Sequence, residues 1–381
     1  MQFICAVAMS TFGGTALVSP ILPVIQDALN VETESIGWVV AAFSLPGIVF
    51  IPLTGILSDR YGRRAVMTPL LFLYGITGGL TFLAPNFETL LVLRFLSGIG
   101  ASSLGSLTIV LVGDMFEKKD RAAALGYRIA LGQTASGVIP VLAGFIALAG
   151  WQYPFLLYFL AVPLGFVALS ILEKQTDRPS VTDKTYLGNV WRAIANPRTA
   201  TLLTIAPTLM IVNQGITVTF IPLFMSAALD ASAATIGIIL SARVITSIIG
   251  ATQLGRLTNT FSAESLVIVS IIGLVLSVAS VPFVSSIWVM LIPSLAIGLT
   301  TGVAFPAFQS LLVQETPDHA RAAVISTNGV NNRLGQVLGP VLGGVLFGIG
   351  GFDLVFFAAG GFLVLMVLFL YVSLRLNPLA A

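Results

Sequence analysis

Apolar residues run along this chain in stretches of about twenty, parted by short polar breaks and without two-residue alternation; 266–284 is one such run. About 20 apolar residues cross the ~30 Å core of a bilayer as a helix, whereas a membrane β-barrel repeats segments of about ten residues with alternating polarity. The pattern therefore predicts an all-α membrane protein. Breaks fall near 26–35, 58–64, 85–88, 113–121, 150–153, 173–198, 229–232, 256–264, 285–287, 314–321 and 350–353, and these eleven breaks delimit twelve transmembrane helices. The only long one, 173–198, follows the sixth span. It reads as a linker between two six-helix halves, 1–172 and 199–381.

The halves repeat each other. At a constant shift of 200, Ile36-Gly37 meets Ile236-Gly237, Gly55 meets Gly255, Gly98 meets Gly298, Arg121-Ala122-Ala123 meets Arg321-Ala322-Ala323, and Pro140-Val141-Leu142 meets Pro340-Val341-Leu342. Leu-rich helices match by chance easily, but Gly, Pro and Arg in one register across several spans do not. Two parallel repeats about an axis along the membrane normal is an architecture of secondary transporters.

Charge fixes the expected orientation. Alternate breaks hold Arg60, Arg63, Arg64, Lys118, Lys119, Arg121, Lys174, Arg178, Lys184, Arg192, Arg198, Arg256 and Arg321, while the others hold no Lys or Arg, and four of them hold acids. Basic residues are retained on the cytoplasmic side during insertion, so both termini are expected there, in the cell's inner (plasma) membrane. The N-terminal apolar run has no basic leader and reads as the first span.

Composition narrows the function classes. With 56% hydrophobic and 9% charged residues, against about 25% charged in soluble chains, there is no room for a sizeable soluble domain. A net charge of +2 without a basic cluster does not suit nucleic acid. One cysteine, Cys5, and one histidine, His319, exclude an internal disulfide and a Cys/His metal cluster, so no metal or other cofactor is expected. No nucleophile–base set suggests an enzyme.

The break after span two reads Gly55-Ile-Leu-Ser-Asp59-Arg60-Tyr-Gly62-Arg63-Arg64. Glycine at 55 would allow close helix contact, glycine at 62 a tight turn, and Asp59 could accept hydrogen bonds from a helix N-terminus. The plainer reading is a solvated loop of topogenic arginines. After span four, Gly113-Asp114-Met-Phe precedes Arg121. These two breaks resemble the signature loops of the major facilitator superfamily, and the resemblance covers all twelve spans. It implies a latch on the cytoplasmic face made of Gly55, Asp59, Arg60, Gly62, Arg63, Arg64, Asp114 and Arg121, with Asp114 pairing with Arg63. Its second copy, Gly255 to Ser262, lacks the acid and the arginine pair.

Span four carries Arg94-Phe-Leu-Ser97-Gly98-Ile-Gly100-Ala101, which is similar to the buried-arginine motif of drug:proton antiporters in that superfamily, with Ser97 where Gln is usual. The antiporter glycine–proline pattern is absent around Pro140 in span five and complete in span eleven, as Gly335, Gly339, Pro340, Gly343 and Gly344. Helix packing alone would also account for Gly98 and these residues. Arg128, Arg243 and Arg333 lie within spans five, eight and eleven. An arginine at mid-bilayer costs about 3 kcal/mol or more and should face protein or water, unless it snorkels from a helix end. No carboxylate falls clearly inside a span; Asp27, at one end of span one, is the nearest. Uncharged candidates to line a cavity are Asn213, Gln214, Gln133, Gln309 and Asn331, each of which could equally join two helices.

The resemblance implies a monomeric secondary transporter among membrane lipids, exporting small amphiphilic or lipid-like molecules by alternating access, with protons as a coupling ion. The alternative is a carrier of organic anions or anionic lipids such as lysophospholipids, with Arg94 as leading contact and Arg243 as second. A non-transporting sensor would keep the fold but degrade the first signature loop, which is intact here.

Overall fold

The computed structural model describes residues 1–172, 197–316 and 321–376; His319 and nearly all of the expected linker lie outside them. All regular structure among the described residues is helical. Ten helical stretches are long and apolar enough to cross a membrane: α1 Gln2–Leu29, α2 Thr33–Tyr61, α3 Arg63–Leu83, α4 Phe87–Met115, α5 Lys118–Ala149, α6 Tyr153–Ile171, α7 Thr199–Leu229, α8 Ala233–Leu257, α9 Ala263–Phe283 and α10 Leu291–Gln314. An eleventh, Thr327–Ser373, has 47 residues, twice what a bilayer needs at 1.5 Å per residue. Its backbone leaves the helix at Gly350 and at Gly351 (φ 65°), a conformation suited to glycine, and so divides into α11 (321–349) and α12 (352–376). Twelve crossings result.

The described residues pack as two compact units, one of 1–172 with 231–241, the other of 197–230 with 242–376. In the first, α1 packs on α5, α2 on α4, and α3 on both α4 and α6. In the second, α7 packs on α11, α8 on α10, and α9 on both α10 and α12. The 200-residue repeat is thus a repeat of contacts, and it extends to the turns. Asn30 and Asp230, the two non-glycine residues with positive φ among the described residues, cap the ends of α1 and α7, and short 3₁₀ turns close α3 and α9 at Thr81–Leu83 and Val281–Phe283. Asn and Asp tolerate this left-handed cap better than other side chains.

Among the departures from regular helix geometry, two lie beside the residues of interest. α4 breaks at Ser102–Ser103, between Phe87–Ala101 and Leu104–Met115. α7 widens into a π-helix over Ile211–Phe220, where the Thr219 hydroxyl donates to the Gln214 carbonyl five residues back (2.9 Å). Inside that stretch Gly215 lies against Gly339 of α11, backbone on backbone. Such wide turns recur at functional sites.

Candidate functional site

At the end of the first unit that carries the arginine loop, Gly62 (φ 86°) reverses the chain between α2 and α3. The turn places Arg63 at the start of α3, facing the last turn of α2. Its Nη1 donates to Asp59 Oδ1 and to Ser58 Oγ, both at 2.7 Å, and its Nε donates to Asp114 Oδ2 at 3.2 Å. The Arg63 side chain is only 13% exposed, but Asp59 is 66% and Asp114 30% exposed, so water screens both pairings and each contributes about 0–1 kcal/mol, as a surface ion pair does. Arg121, opening α5, donates to the carbonyls of Gly113 (2.6 Å) and Phe116 (3.0 Å) and so satisfies the frayed end of α4. The structure thus brings together Asp59, Gly62, Arg63, Asp114 and Arg121. Arg60 lies over the Tyr61 ring at 5.3 Å and Arg64 is half-buried. Close helix contact at Gly55 does not hold within the first unit, where nothing lies within 4 Å of a Cβ added there.

The intramembrane arginines divide. Arg94 is wholly buried; its Nη1 donates to the Tyr158 hydroxyl (2.7 Å) and its Nε to the Val39 carbonyl (3.2 Å), and it lies 4.2 Å over the Phe43 ring. Tyr158 in turn donates to the Gly14 carbonyl (2.6 Å), and Tyr74 beside it donates to the Ser10 carbonyl (2.5 Å). Spans one, two, three, four and six therefore meet around one cation. The sequence leaves Arg94 without a counter-charge; the protein answers in part, with neutral dipoles at Nε and Nη1 and a ring face, while Nη2 is buried without a partner. Arg128 neither snorkels nor waits for a ligand. It is 6% exposed and donates to the Thr108 hydroxyl and the Gly105 carbonyl, both at 2.7 Å, bracing α4 just past its break. Arg333 donates to Gln336 Oε1 (2.9 Å). Arg243 makes no hydrogen bond or ion pair with any described residue, and its Nη1 is buried.

The uncharged candidates spread out. Asn331 donates to the Leu203 carbonyl (2.9 Å), tying α11 to α7, and Asn213 accepts from Thr217 within the π-helix. Gln133 and Gln214 are half-buried, whereas Gln309 and Asp27 are exposed. No carboxylate among the described residues is buried. Gly335, Gly339 and Gly343 form one stripe on α11 that meets Pro207, Ile211 and Phe220 of α7 in turn, with Pro340 and Gly344 buried behind them. Gly98 lies against the Phe43 carbonyl, and the carbonyl of buried Pro140 lies against Gly237. Beside the glycine stripe a groove of about 680 Å³ opens between α7, α11 and α12, floored by Thr204, Thr208 and Asn331 and rimmed by Phe362, Leu365 and Phe369.

Several participants carry little sequence signal. Ser58 looks like loop filler, and Tyr74, Tyr158 and Phe43 look like ordinary apolar positions. The Thr54–Ser103 hydroxyl contact, which ties the α4 break to α2, is also hidden. Only the phenols give a hint, since a buried hydroxyl needs a partner.

The family model described as Major Facilitator Superfamily matches residues 4–224 and 203–380. The chain belongs to this family. A major facilitator protein is a membrane transporter and not an enzyme, and the twelve helices in two repeated units fit that membership. Among characterised relatives, the chain is 26% identical to the multi-drug resistance efflux pump PmrA of Streptococcus pneumoniae, across 96% of this chain and 93% of that one. It is 28% identical to the bacillibactin exporter of Bacillus subtilis, although that match spans only 37% of each chain. The solved structure of a bacterial homolog of the human lysosomal transporter Spinster superposes with a TM-score of 0.78 over 98% of this chain and 96% of that one, at 15% identity, which speaks for the fold alone.

Proposed function

We propose that the chain exports small amphiphilic molecules across the bacterial plasma membrane by alternating access, as a monomer, with both termini in the cytoplasm. In this reading the halves 1–172 and 199–381, joined by the linker 173–198, move as the two bodies. The observation that carries it is the Arg63 guanidinium held at once by Ser58, Asp59 and Asp114. A cation with several acceptors gains or loses bonds as helix ends shift, so it biases a two-state equilibrium without touching the ligand. The names of the relatives, a multi-drug resistance efflux pump and a bacillibactin exporter, support outward transport of varied molecules. Membrane lipids surround the carrier and supply one class of amphiphile.

A second reading, a carrier of organic anions or anionic lipids, is favoured by one observation: the charged side chains buried among the described residues are Arg94 and Arg128, and no described carboxylate is buried. The same fact argues against a buried acid as proton carrier.

Efflux from proteoliposomes, with and without an imposed pH gradient, tests the reading. Accumulation of an amphiphilic dye against its gradient is the expected result, and absence of any gradient-dependent movement of cationic, neutral and anionic probes would refute it.

A further inference from the structure

Four arginines lie within the spans, and one stands apart. Arg94, Arg128 and Arg333 each donate to an oxygen of the protein, Arg94 keeping only its Nη2 unpartnered, whereas Arg243 donates to no described residue and has a buried Nη1 without a partner. A guanidinium keeps its charge on burial and carries five donors, so an unanswered one is a demand for an acceptor. No described carboxylate is buried to supply it.

The internal repeat indicates what surrounds Arg243. Two hundred positions earlier stands Phe43, and the backbone register is the same at both, since the Phe43 carbonyl lies against Gly98 and the Arg243 carbonyl against Gly298. The Phe43 ring reaches α1 at Gly14, with Cζ 2.8 Å from a Cβ placed there, and covers the Arg94 guanidinium on α4 at 4.2 Å. Shifted by 200, Gly14 becomes Gln214 and Arg94 becomes Ser294. Where the first unit closes a cation under an aromatic ring, the second carries the cation on α8 itself, with hydrogen-bonding residues at the two positions that correspond to the ring's neighbours. Gln214 lies in the π-helical stretch and its side-chain amide bonds nothing; Ser294 is 1% exposed. The Thr246 hydroxyl donates to the Leu295 carbonyl (2.9 Å) and pins α8 to α10 just beside them.

We propose that Arg243, with Gln214 and Ser294, forms an anion site inside the second unit that holds the acidic group, carboxylate or phosphate, of an amphiphilic substrate. It rests on the reading of the chain as an amphiphile carrier, and it moves the anion contact from Arg94, which is fully enclosed by protein and anchored through Nε and Nη1 although its Nη2 also lacks a partner, to Arg243, none of whose donors is engaged by a described residue. The apolar body of the substrate then lies along the surrounding aliphatic side chains while Gln214 and Arg243 share the acidic oxygens, a charge-assisted arrangement that a neutral analogue cannot reproduce. An unanswered cation weakens the resting protein, which is the usual mark of a residue kept for a ligand.

The test uses the full chain in lipid nanodiscs and four probes on one aromatic body: 2-naphthoate, 2-naphthyl phosphate, 2-naphthol and 2-naphthylmethylammonium. Calorimetric titration should show at least one acid binding about tenfold or more tighter than the alcohol, with that preference abolished in Arg243→Met and partly kept in Arg243→Lys. A phosphate preference points to lipid-like headgroups and a carboxylate preference to organic acids; either supports the site. Without ligand, Arg243→Met should melt at or above the wild-type temperature and lose the upward shift that the acid gives the wild type. The proposal is overturned if the acids bind no better than the alcohol, if their preference survives Arg243→Met, or if Arg243→Met melts well below the wild type. Uphill movement of a neutral dye that persists while no acid binds would remove the anion site and leave the export reading standing. Acid binding through Arg243 with no movement of any probe would do the reverse.

Discussion

At the scale of single residues, the Arg94 cluster shows how a membrane protein keeps a charge without a counter-charge. Two neutral oxygens and one ring face surround the guanidinium, and Tyr158 is the hinge pin because its hydroxyl accepts from Arg94 and donates to the Gly14 carbonyl. Tyr158→Phe removes both bonds and leaves a buried cation short of an acceptor, so it should cost about 1–3 kcal/mol. Arg94→Met removes the demand with the donor and should cost less. Thermal unfolding of the purified variants in detergent checks the order, and equal losses would mean the two act independently. Sequence reading locates Arg94 and recognises that its charge needs an answer. It misses the answer because a carbonyl is present at every residue and a tyrosine in an apolar run looks like core.

At the scale of elements, glycine marks where helices touch, and its position within a motif does not by itself say which glycines do so. A Cβ at Gly98 would strike the Phe43 carbonyl and one at Gly298 the Arg243 carbonyl, whereas Gly55 and Gly113 have nothing within 4 Å in their own unit. Backbone cannot yield as a flexible side chain can, so Gly98→Val and Gly298→Val should each abolish a monodisperse peak on size-exclusion chromatography, while Gly55→Ala and Gly113→Ala should keep it. A folded Gly298→Val protein would break the equivalence of the two α-helix crossings. The glycine stripe on α11 was legible as a packing surface. Its first-unit counterpart is hidden because the small residue has changed helices: Ile139 of α5 fills the space over Gly13 of α1, where the second unit sets Gly339 against α7. Likewise the break at Ser102–Ser103 and the π-helix of α7 leave no periodic signal, since both are set by contacts with neighbouring helices.

At the scale of the whole molecule, hydropathy and the 200-residue repeat specify twelve helices in two units, because span length and turn chemistry are local properties of the chain. How a loop of arginines acts on those units is a matter of bonding geometry that only the folded chain displays. The Lys/Arg asymmetry carries its own check: cysteines at Gly150 and Gly350 should react with a membrane-impermeant thiol reagent in intact cells, whereas one at Lys118 should not, against a background in which the native Cys5 is buried. Labelling at Lys118 from outside would invert the topology. The most direct measurement of the central proposal, that a latch at Arg63 governs the switching of a carrier, is paired transport and binding in Arg63→Ala and Asp59→Asn. Transport rate in proteoliposomes should fall by about tenfold or more while the affinity of the purified protein for the same probe stays within about twofold of wild type. Affinity that falls in step with transport would place Arg63 in the binding site and contradict the latch.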